Sequence, residues 1–306
     1  MIVIHNAKER KEEEWFATVG FFDGVHVGHR YLIREMQRLA DERGLSTVVF
    51  TFPVHPRIVL EADYQPKLLN SPNEKLKLLA TTGVDNCVVM DFTHELATCS
   101  ARDFIVKILS EQWNVRSLLV GYDHRFGHNR SDGFEQYVAY GKSCRMEILR
   151  SSSYHRDTKA VSSSQIRQFL AECRVEEAAD LLSYPYRLRG SVVGGHQIGR
   201  TLGFPTANME IDEPCKVLPG MGVYAVWVYV DDMRYKGMLT IGDRPTLNGR
   251  DVVVEVHLLH FSAMIYQQSI EVEFMHYLRE NKKFKNPEAL KEQLNKDRQQ
   301  VEELLK

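Results

Sequence analysis

The sequence has few of the features that mark secreted or membrane proteins. It contains only five cysteines, scattered along the chain without the C-x-x-C spacing of a zinc or dithiol site, so we expect reduced thiols. No apolar run reaches the roughly 18 residues that a membrane helix needs. The charged stretch at residues 8–14 is unlike a secretory signal. The sequence therefore predicts a soluble, cytoplasmic protein with no membrane partner.

An excess of charge of either sign is also absent. The 39 basic and 41 acidic residues nearly cancel, so no overall field favours nucleic acid or an anionic membrane as a partner. Any phosphate chemistry must therefore come from local sites. The sequence leaves the oligomeric state open, a homo-oligomer included.

The chain has the length and apolar content for two domains. Its 306 residues are 43% hydrophobic, and domains commonly have about 150 residues. Up to about residue 149, short apolar runs alternate with helical patterns, which is typical of βαβ units and a parallel sheet. The strands predicted in this part are 16–20, 46–52, 86–90, 117–121 and 146–149. The predicted fold class of the N-terminal domain is Rossmann-like α/β.

Capping residues locate some of the helices between these strands. The helix that follows His29 ends at Gly44, which suits a left-handed C-cap. Ser71 is followed by Pro72 and Glu74, a pattern that predicts a capping box. Both signals support helices on the faces of the sheet.

The pattern changes near residue 183. Two short helices predicted at 162–173 and 175–182 are followed by the helix-breaking run Ser-Tyr-Pro-Tyr at 183–186. We place a boundary there, which gives domains 1–183 and 184–306.

Strand-length segments without intervening helices follow this boundary. They lie at 223–230, 234–241, 252–259 and 269–274 and favour an antiparallel sheet that closes into a small barrel. The chain ends in a helix with Asn286 as N-cap and Pro287 at its first position. The apolar stripe that should pack this helix on the barrel consists of Leu290, Leu294, Val301, Leu304 and Leu305.

The sharpest local signal is the run at 20–29, Gly-Phe-Phe-Asp-Gly-Val-His-Val-Gly-His, at a strand-to-helix turn. Glycines let the backbone approach phosphates, and the helix N-terminus offers unpaired N–H groups. His26 and His29 would face the same side and can donate hydrogen bonds to phosphate oxygens as charge develops in the reaction. The alternative is that both histidines only cap the helix.

This turn resembles the H-x-G-H signature of the nucleotidylyltransferases, and its longer form resembles bacterial bifunctional riboflavin kinase and FMN adenylyltransferase, the FAD synthetases. The resemblance covers nearly the whole chain. In the first domain it also includes the runs at 51–57 (Thr-Phe-Pro-Val-His-Pro-Arg), 120–127 (Val-Gly-Tyr-Asp-His-Arg-Phe-Gly) and 161–167 (Val-Ser-Ser-Ser-Gln-Ile-Arg). Such ordered matches are more specific than the histidine turn alone.

The resemblance implies roles for the matching residues of the first domain. It implies that His26 and His29 hold the ATP phosphates and that Asp123 lies beside the flavin phosphate and the nucleotide. Ser162, Ser163 and Arg167 would close over the triphosphate, which suits the hydroxyl, N–H and guanidinium donors of a helix start. Simple N-capping by Ser162 is compatible with this role. This chain departs from the family by having Ser164 in place of threonine and His124 in place of an aromatic residue.

A second candidate site lies in the barrel domain, where the glycine-rich run at 195–203 leads into an extended segment. Thr206 and Asn208 point to the same face of an extended chain, and their oxygens could hold a magnesium ion. Glu255, on the alternating strand at 252–259, would take a proton from a primary alcohol if it is partly buried. The alternative is a glutamate at the rim of the barrel that faces water.

The runs at 199–208, 218–224 and 255–259 resemble the riboflavin kinase module, a small Greek-key barrel. The resemblance implies that Thr206 and Asn208 bind Mg²⁺–ATP and that Glu255 is the catalytic base. The departures are Thr240, where the family tends to have asparagine, His260, where it tends to have aspartate, and residues 262–267, where it has a glycine-containing turn. The residues predicted to bind ATP or its phosphates in the two domains are Gly20, Phe22, Asp23, Gly24, Gly28, Ser162, Ser163, Gly195, Gly199 and Arg200.

The favoured hypothesis is an enzyme of FAD biosynthesis that converts riboflavin to FMN and FMN to FAD, with ATP as co-substrate and Mg²⁺ in both steps. One alternative is a monofunctional FMN adenylyltransferase whose barrel only binds flavin. A second is a non-catalytic flavin-binding regulator, because fold alone does not fix function. A third, a cytidylyl or phosphopantetheine adenylyl transferase, leaves the barrel unexplained.

Overall fold

The computed structural model of the protein describes residues 1–5, 13–55, 67–122, 125–128, 131–152, 154–156, 159–194, 202–246 and 249–306. The chain forms two compact units, Met1–Ser163 and Ser164–Lys306. The division comes earlier than the boundary predicted after residue 183. The reason is that the helix Val175–Leu182 packs on strands of the second unit through buried residues such as Ala178 and Leu182.

The first unit is built on a six-stranded, fully parallel sheet. The order of its strands is β1-β4-β3-β2-β5-β6. Central strands are apolar on both faces, as expected for a parallel sheet covered by helices. The strands are β1 (Ile2–Ile4), β2 (Trp15–Val19), β3 (Ser46–Thr51), β4 (Asn86–Val89), β5 (Val115–Val120) and β6 (Glu147–Arg150). The predicted α/β fold is confirmed.

The strand order changes direction beside β2. From β2 the chain moves outward through β3 to β4 and then returns to β5 on the other side of β2. In open α/β sheets, ligands bind in the crevice at the carboxyl ends of the strands on either side of such a switch point. The histidine turn, which directly follows β2, therefore lies at the position where this fold places a site.

The helix that follows Ser71 begins at its predicted cap. Ser71 and Glu74 form the capping box, with Ser71 N–H donating to Glu74 Oε2 at 2.8 Å and Glu74 N–H to Ser71 Oγ at 3.2 Å. Gly44 has a φ of 63°. The helices are α1 (Val27–Asp41), α2 (Pro72–Ala80), α3 (His94–Thr98), α4 (Ala101–Asp103), which continues as a π-helix (Phe104–Gln112), and α5 (Phe134–Ser143). Two short strands, β7 (His155–Arg156) and β8 (Lys159–Ala160), pair near the end of the unit.

The second unit is a closed antiparallel barrel with helices packed outside it. Its strands follow the order β10-β13-β12-β11-β14-β9, and β14 returns to pair with β11, which is the Greek-key arrangement. The predicted barrel and terminal helix are confirmed. The elements are α6 (Ser163–Ala171), α7 (Val175–Leu182), β9 (Tyr186–Val193), β10 (Ala207–Ile211), β11 (Gly222–Val230), β12 (Met233–Thr246), β13 (Gly249–Leu258), β14 (Ser269–Arg279) and α8 (Pro287–Leu304).

Helix α8 packs on the outer face of the barrel. Val301 and Leu305 are buried against Ala225 and Met238. Leu304, which the sequence placed in the same stripe, is 46% exposed, because Leu305 takes the buried position at the end of the helix. The apolar stripe is therefore narrower than predicted.

A buried ion pair, which the sequence analysis did not predict, also fastens α8 to the barrel. Asp297 is fully buried, and its carboxylate accepts hydrogen bonds from Arg279 Nε at 3.0 Å and Arg279 Nη2 at 2.7 Å. Gln293 Nε2 donates to Asp297 Oδ1 at 2.8 Å. The carboxylate thus has several donors that compensate for its loss of hydration.

All five cysteines are free thiols. Within the described part of the chain, none of the helices combines the length and the apolar character needed to span a membrane.

Candidate functional site

The turn between β2 and α1 has an unusual backbone. Phe22 has a φ of 55° and Val25 a φ of 37°, values that are rare for residues with a side chain, and Gly24 has a φ of 85°. A β-branched residue such as Val25 at positive φ stores strain. Phe22 and Val25 are nevertheless buried in the apolar cluster under α1, so packing holds the turn in this conformation.

The turn brings His26 and His29 into contact. Their rings stack, with centroids 3.6 Å apart and an interplanar angle of 16°. His26 is the N-cap of α1, and its Nδ1 accepts a hydrogen bond from His29 N–H at 3.4 Å. An accepting Nδ1 places the proton of neutral His26 on Nε2. The sequence prediction that both side chains face the same side agrees with this contact.

Gly28 leaves room for this stack. A Cβ at Gly28 would lie 3.2 Å from the ring of His26. Gly20 ends β2, and its N–H donates to the carbonyl of Phe50 at 3.0 Å. These two glycines therefore serve the packing of the turn.

His29 lies in an environment that disfavours a charged imidazole. Its Nδ1 is buried and has no hydrogen-bond partner in the described residues. Burial, the neighbouring His26 and the ammonium of Lys75 together hold the pKa of His29 well below its usual 6.5. The imidazole is therefore neutral near pH 7.

Lys75 is a buried residue of this region that the sequence analysis missed. It is 3% exposed, and its Nζ donates to the carbonyls of Phe52 at 2.6 Å and Phe21 at 3.1 Å. Burial lowers its pKa to about 8, although Asp23 opposes the shift. The sequence did contain an indication that Lys75 is buried, because it lies one helical turn before the buried Leu79 on the apolar face of α2.

Asp23 and Ser163 tie the turn to other segments of the first unit. Asp23 is 6% exposed, and its Oδ1 accepts a hydrogen bond from Leu69 N–H at 2.9 Å. Ser163 Oγ donates to the backbone carbonyl of Asp23 at 2.9 Å. Ser163, the last residue of the first unit, therefore lies beside the histidine turn.

The remaining residues predicted for this site are Ser162, Arg167 and Asp123. Ser162 precedes α6 and is exposed. Arg167 lies on α6 within the second unit, where its Nη2 donates to Ser164 Oγ at 3.4 Å. Asp123 and His124 lie outside the described residues.

The residues predicted for the second site meet across neighbouring strands of the barrel. Asn208 of β10 is directly opposite Glu255 of β13, so their side chains lie on the same face about 5 Å apart at Cβ. Both are half-buried, and they alternate with Ala207, Val254 and Val256, which point to the barrel interior. Glu255 therefore lies on the outer face in a partly buried position, which agrees with the predicted environment.

Thr206 continues this outer face. It is exposed and precedes β10 by one residue. A pocket of about 380 Å³ adjoins it, with mostly apolar walls. The walls are formed by Val192, Pro205, Thr206, Ala207, Leu258, Phe261, Ser262, Ala263, Met264, Ile265 and Tyr266. Gly195, Gly199 and Arg200, predicted to contribute to this site, lie outside the described residues.

His257 supports the segment that carries Thr206. Its Nδ1 donates to the carbonyl of Pro205 at 2.7 Å, and its ring contacts Phe204 edge-on at 5.2 Å. Burial lowers the pKa of His257, against the effect of the Pro205 hydrogen bond. The sequence analysis assigned no role to this residue.

Two of the departures from the family pattern, Thr240 and His260, lie next to acidic residues. Thr240 of β12 is directly opposite Glu255, so it is a neighbour of the predicted base rather than a residue that only flanks the site. His260 Nε2 lies 2.6 Å from Glu302 Oε1 on α8, and Glu302 also accepts from Lys236 Nζ at 3.2 Å. These pairs hold the pKa of the Glu302 carboxyl below its usual range.

The donors on the outer face suit a hard cation. Thr206 offers a hydroxyl, Asn208 an amide oxygen and Glu255 a carboxylate, and Mg²⁺ binds through a few such oxygens together with water and substrate phosphates. No group of three or more histidine, cysteine or acidic side chains that could hold a metal occurs in the described residues.

Two family models match the chain. One, described as FAD synthetase, matches residues 8–165, and the other, described as riboflavin kinase, matches residues 182–305. Their junction lies between residues 165 and 182. Each model therefore covers one of the two candidate sites.

Individual relatives match almost the full length. The bifunctional riboflavin kinase/FMN adenylyltransferase of Haemophilus influenzae is 37% identical over 295 residues, which cover 96% of this chain and 95% of the relative. That of Escherichia coli K12 is 35% identical and covers 96% and 94%. A crystal structure described as a macrolide-efflux protein from Streptococcus pneumoniae has a TM-score of 0.88 at 30% identity, with 98% of both chains covered.

Proposed function

The chain belongs to the family of bifunctional riboflavin kinase/FMN adenylyltransferases, and from this premise we propose that it makes FAD from riboflavin in two ATP-dependent steps. In the first, riboflavin is phosphorylated to FMN by residues 184–306. In the second, FMN is adenylylated to FAD by residues 1–183, with release of pyrophosphate. The observation that carries the proposal is that the FAD synthetase and riboflavin kinase models match two separate regions of the chain.

Adenylylation is assigned to the histidine turn at the switch point of the sheet. A phosphate oxygen of FMN attacks the α-phosphorus of ATP, and the bond to the β-phosphate oxygen breaks. The stacked His26 and His29 donate hydrogen bonds to the phosphate oxygens on which charge develops. Because His29 lies in a buried environment that keeps it neutral, it acts as a fixed dipole in this step. Ser163, the last residue of the first unit, supplies a further donor, and Asp123 is assigned to the flavin phosphate.

Phosphorylation is assigned to the outer face of the barrel. The terminal hydroxyl of the ribityl chain attacks the γ-phosphorus of ATP, Glu255 takes the hydroxyl proton, and ADP leaves. The position of Glu255 opposite Asn208 supports this assignment, because a base would then lie next to a proposed ligand of the nucleotide complex. The apolar pocket beside Thr206 is assigned to the nucleotide base.

Magnesium is proposed as the cation of both steps. In the barrel it would be held by Thr206 and Asn208, and when bound it neutralises charge on the transferred phosphate. The pairing of β10 with β9 and β13 fixes Asn208, and the hydrogen bond from His257 to the carbonyl of Pro205 holds the segment that carries Thr206. A cytoplasmic location and the absence of a nucleic-acid partner stay predictions from composition.

A chromatographic time course of the purified protein with riboflavin, ATP and Mg²⁺ tests the proposal. We expect FMN to appear first and FAD afterwards, and chelation of the metal by EDTA to stop both conversions. If riboflavin persists while added FMN becomes FAD, the chain is a monofunctional adenylyltransferase. Turnover of phosphopantetheine or choline phosphate without turnover of FMN would contradict both assignments.

A further inference from the structure

We propose that Lys75 is a positioning residue for adenylyl transfer, because its buried ammonium joins the carbonyl of Phe21 to that of Phe52 and so fixes the turn that carries His26 and His29. This inference rests on the proposed function of the first unit. Lys75 lies on α2, which contributes no residue to the predicted site.

The position of Lys75 is unfavourable for a cation in two respects. The side chain is 3% exposed, and removing an ammonium from water costs several kcal/mol unless it is well compensated. It also lies near the N-terminus of α2, where the helix dipole is positive and repels cations. Helix propensity and packing would both be served by methionine or leucine. The contacts of the ammonium must therefore account for its presence.

These contacts connect the ends of two adjacent strands. Nζ donates to Phe52 O at 2.6 Å, just after β3, and to Phe21 O at 3.1 Å, just after β2. It also lies 4.0 Å from the centre of the Phe21 ring, which is a favourable cation–π distance. Thr51 Oγ1 donates to the same Phe21 carbonyl at 3.2 Å. Two side-chain donors, Lys75 Nζ and Thr51 Oγ1, thus restrain the carbonyl of Phe21 at the start of the turn.

The charge of Lys75 also affects the pKa of His29. The groups that face it are Asp23 in the turn, Cys87 on β4 and His29 on α1. Its ammonium contributes to the low pKa of His29, together with burial and with His26. Removing the ammonium should therefore both loosen the turn and raise the pKa of His29.

The principal test compares Lys75→Met with Lys77→Met, which changes an exposed lysine of the same helix. A displacement of about 1 Å at a reacting group can cost about 10²-fold in rate, so we expect kcat/KM for conversion of FMN to FAD to fall by about that factor in Lys75→Met. Conversion of riboflavin to FMN should stay unchanged in both variants. Activity of Lys75→Met within twofold of the unchanged chain would overturn the proposal.

A second variant keeps the test decisive if Lys75→Met does not fold. Thr51→Val removes the other donor to the Phe21 carbonyl without changing charge, and we expect a loss of up to about tenfold in FAD formation. Full activity of Thr51→Val would contradict a role for the restrained carbonyl. If the unchanged chain does not convert FMN to FAD, the proposed function is wrong. If the unchanged chain is active and the variants are equally active, only the proposal for Lys75 is wrong.

An NMR titration of the His29 ring separates positioning from simple packing. In Lys75→Met we expect His29 to titrate at higher pH than in the unchanged chain, and the acid limb of the pH profile of kcat/KM for FAD formation to move in the same direction. Thr51→Val should leave the titration unchanged. If His29 titrates alike in all three proteins, Lys75 acts only through packing and the proposal is wrong.

Discussion

In the sheet unit the groups of the histidine turn are largely buried, whereas in the barrel unit Asn208 and Glu255 lie on the outer face of the strands. His26, Asp23 and Lys75 are each less than a tenth exposed. Asn208 and Glu255 are half-buried, and register across a hydrogen-bonded ladder sets their positions. The first site is therefore held by packing, which compensates for backbone strain, and the second by strand pairing.

This difference predicts how the two sites respond to substitution. A buried, strained turn couples stability to function, because every group in it is also part of the packing. A half-exposed face on a closed barrel can lose one side chain with little change in the barrel itself. Each unit also supplies an internal control for the other, because the two proposed reactions can be measured separately in one preparation.

The largest expected effect is at Glu255. Glu255→Gln removes the proposed base but keeps the shape of the side chain, and general-base catalysis typically contributes about 10²–10⁴-fold. We expect phosphorylation of riboflavin to fall by that factor while FMN is still converted to FAD at the parent rate. Glu210→Gln, on the exposed end of β10, is the control. Unchanged phosphorylation in Glu255→Gln would show that the glutamate only lines the barrel.

A stability test concerns Asp297, a fully buried carboxylate of the barrel unit. Asp297→Asn should leave Arg279 buried without its counter-ion and lower the free energy of unfolding by about 3–5 kcal/mol. Denaturant unfolding of the variant measures this loss, with Glu292→Gln on the exposed side of α8 as control. A loss below about 1 kcal/mol would indicate that water compensates Arg279.

His26→Asn tests whether function and capping can be separated in the sheet unit. Asparagine is also a good N-cap, so the variant should keep most of the stability of α1 but lose the imidazole donor. Loss of one such donor typically costs about 10²–10³-fold in rate. FAD formation from added FMN should fall by that factor and FMN formation should not. His94→Asn changes an exposed histidine of the same unit and should have no effect on either reaction.

The smallest effect concerns the pH dependence of stability. The pKa of His29 is lowered in the folded state, so below about pH 6.5 the unfolded chain binds a proton that the folded chain does not. The free energy of unfolding should therefore fall as the pH decreases, by at most about 1.4 kcal/mol per pH unit. Unfolding curves of the parent and of His29→Gln between about pH 5 and 7 measure this slope. The parent should lose stability more steeply, and equal slopes would contradict the buried neutral imidazole.

Local signals in the sequence predicted most of the elements. The capping box at Ser71 depends on residues close in the chain and is confirmed. The helix predicted to end at Gly44 ends at Asp41 with Glu42 as its C-cap, although Gly44 has the expected positive φ. Strands β9 and β10 were not delimited, because their pairing with β14 and β13 involves distant segments. The π-helix at Phe104–Gln112 was also not predicted, and periodicity alone gives no reason to expect it.

The sequence by itself determined the fold class and the family, because apolar periodicity and short motifs are local properties of the chain, and it proposed the residues that bear the chemistry. Only the tertiary structure decided which residues meet. The stack of His26 on His29, the position of Thr240 beside Glu255, and the burial of Lys75 and Asp297 depend on strand order, register and packing between distant segments. A charged side chain looks the same in sequence whether it faces water or a backbone carbonyl, and only the folded chain sets its surroundings and hence its energy.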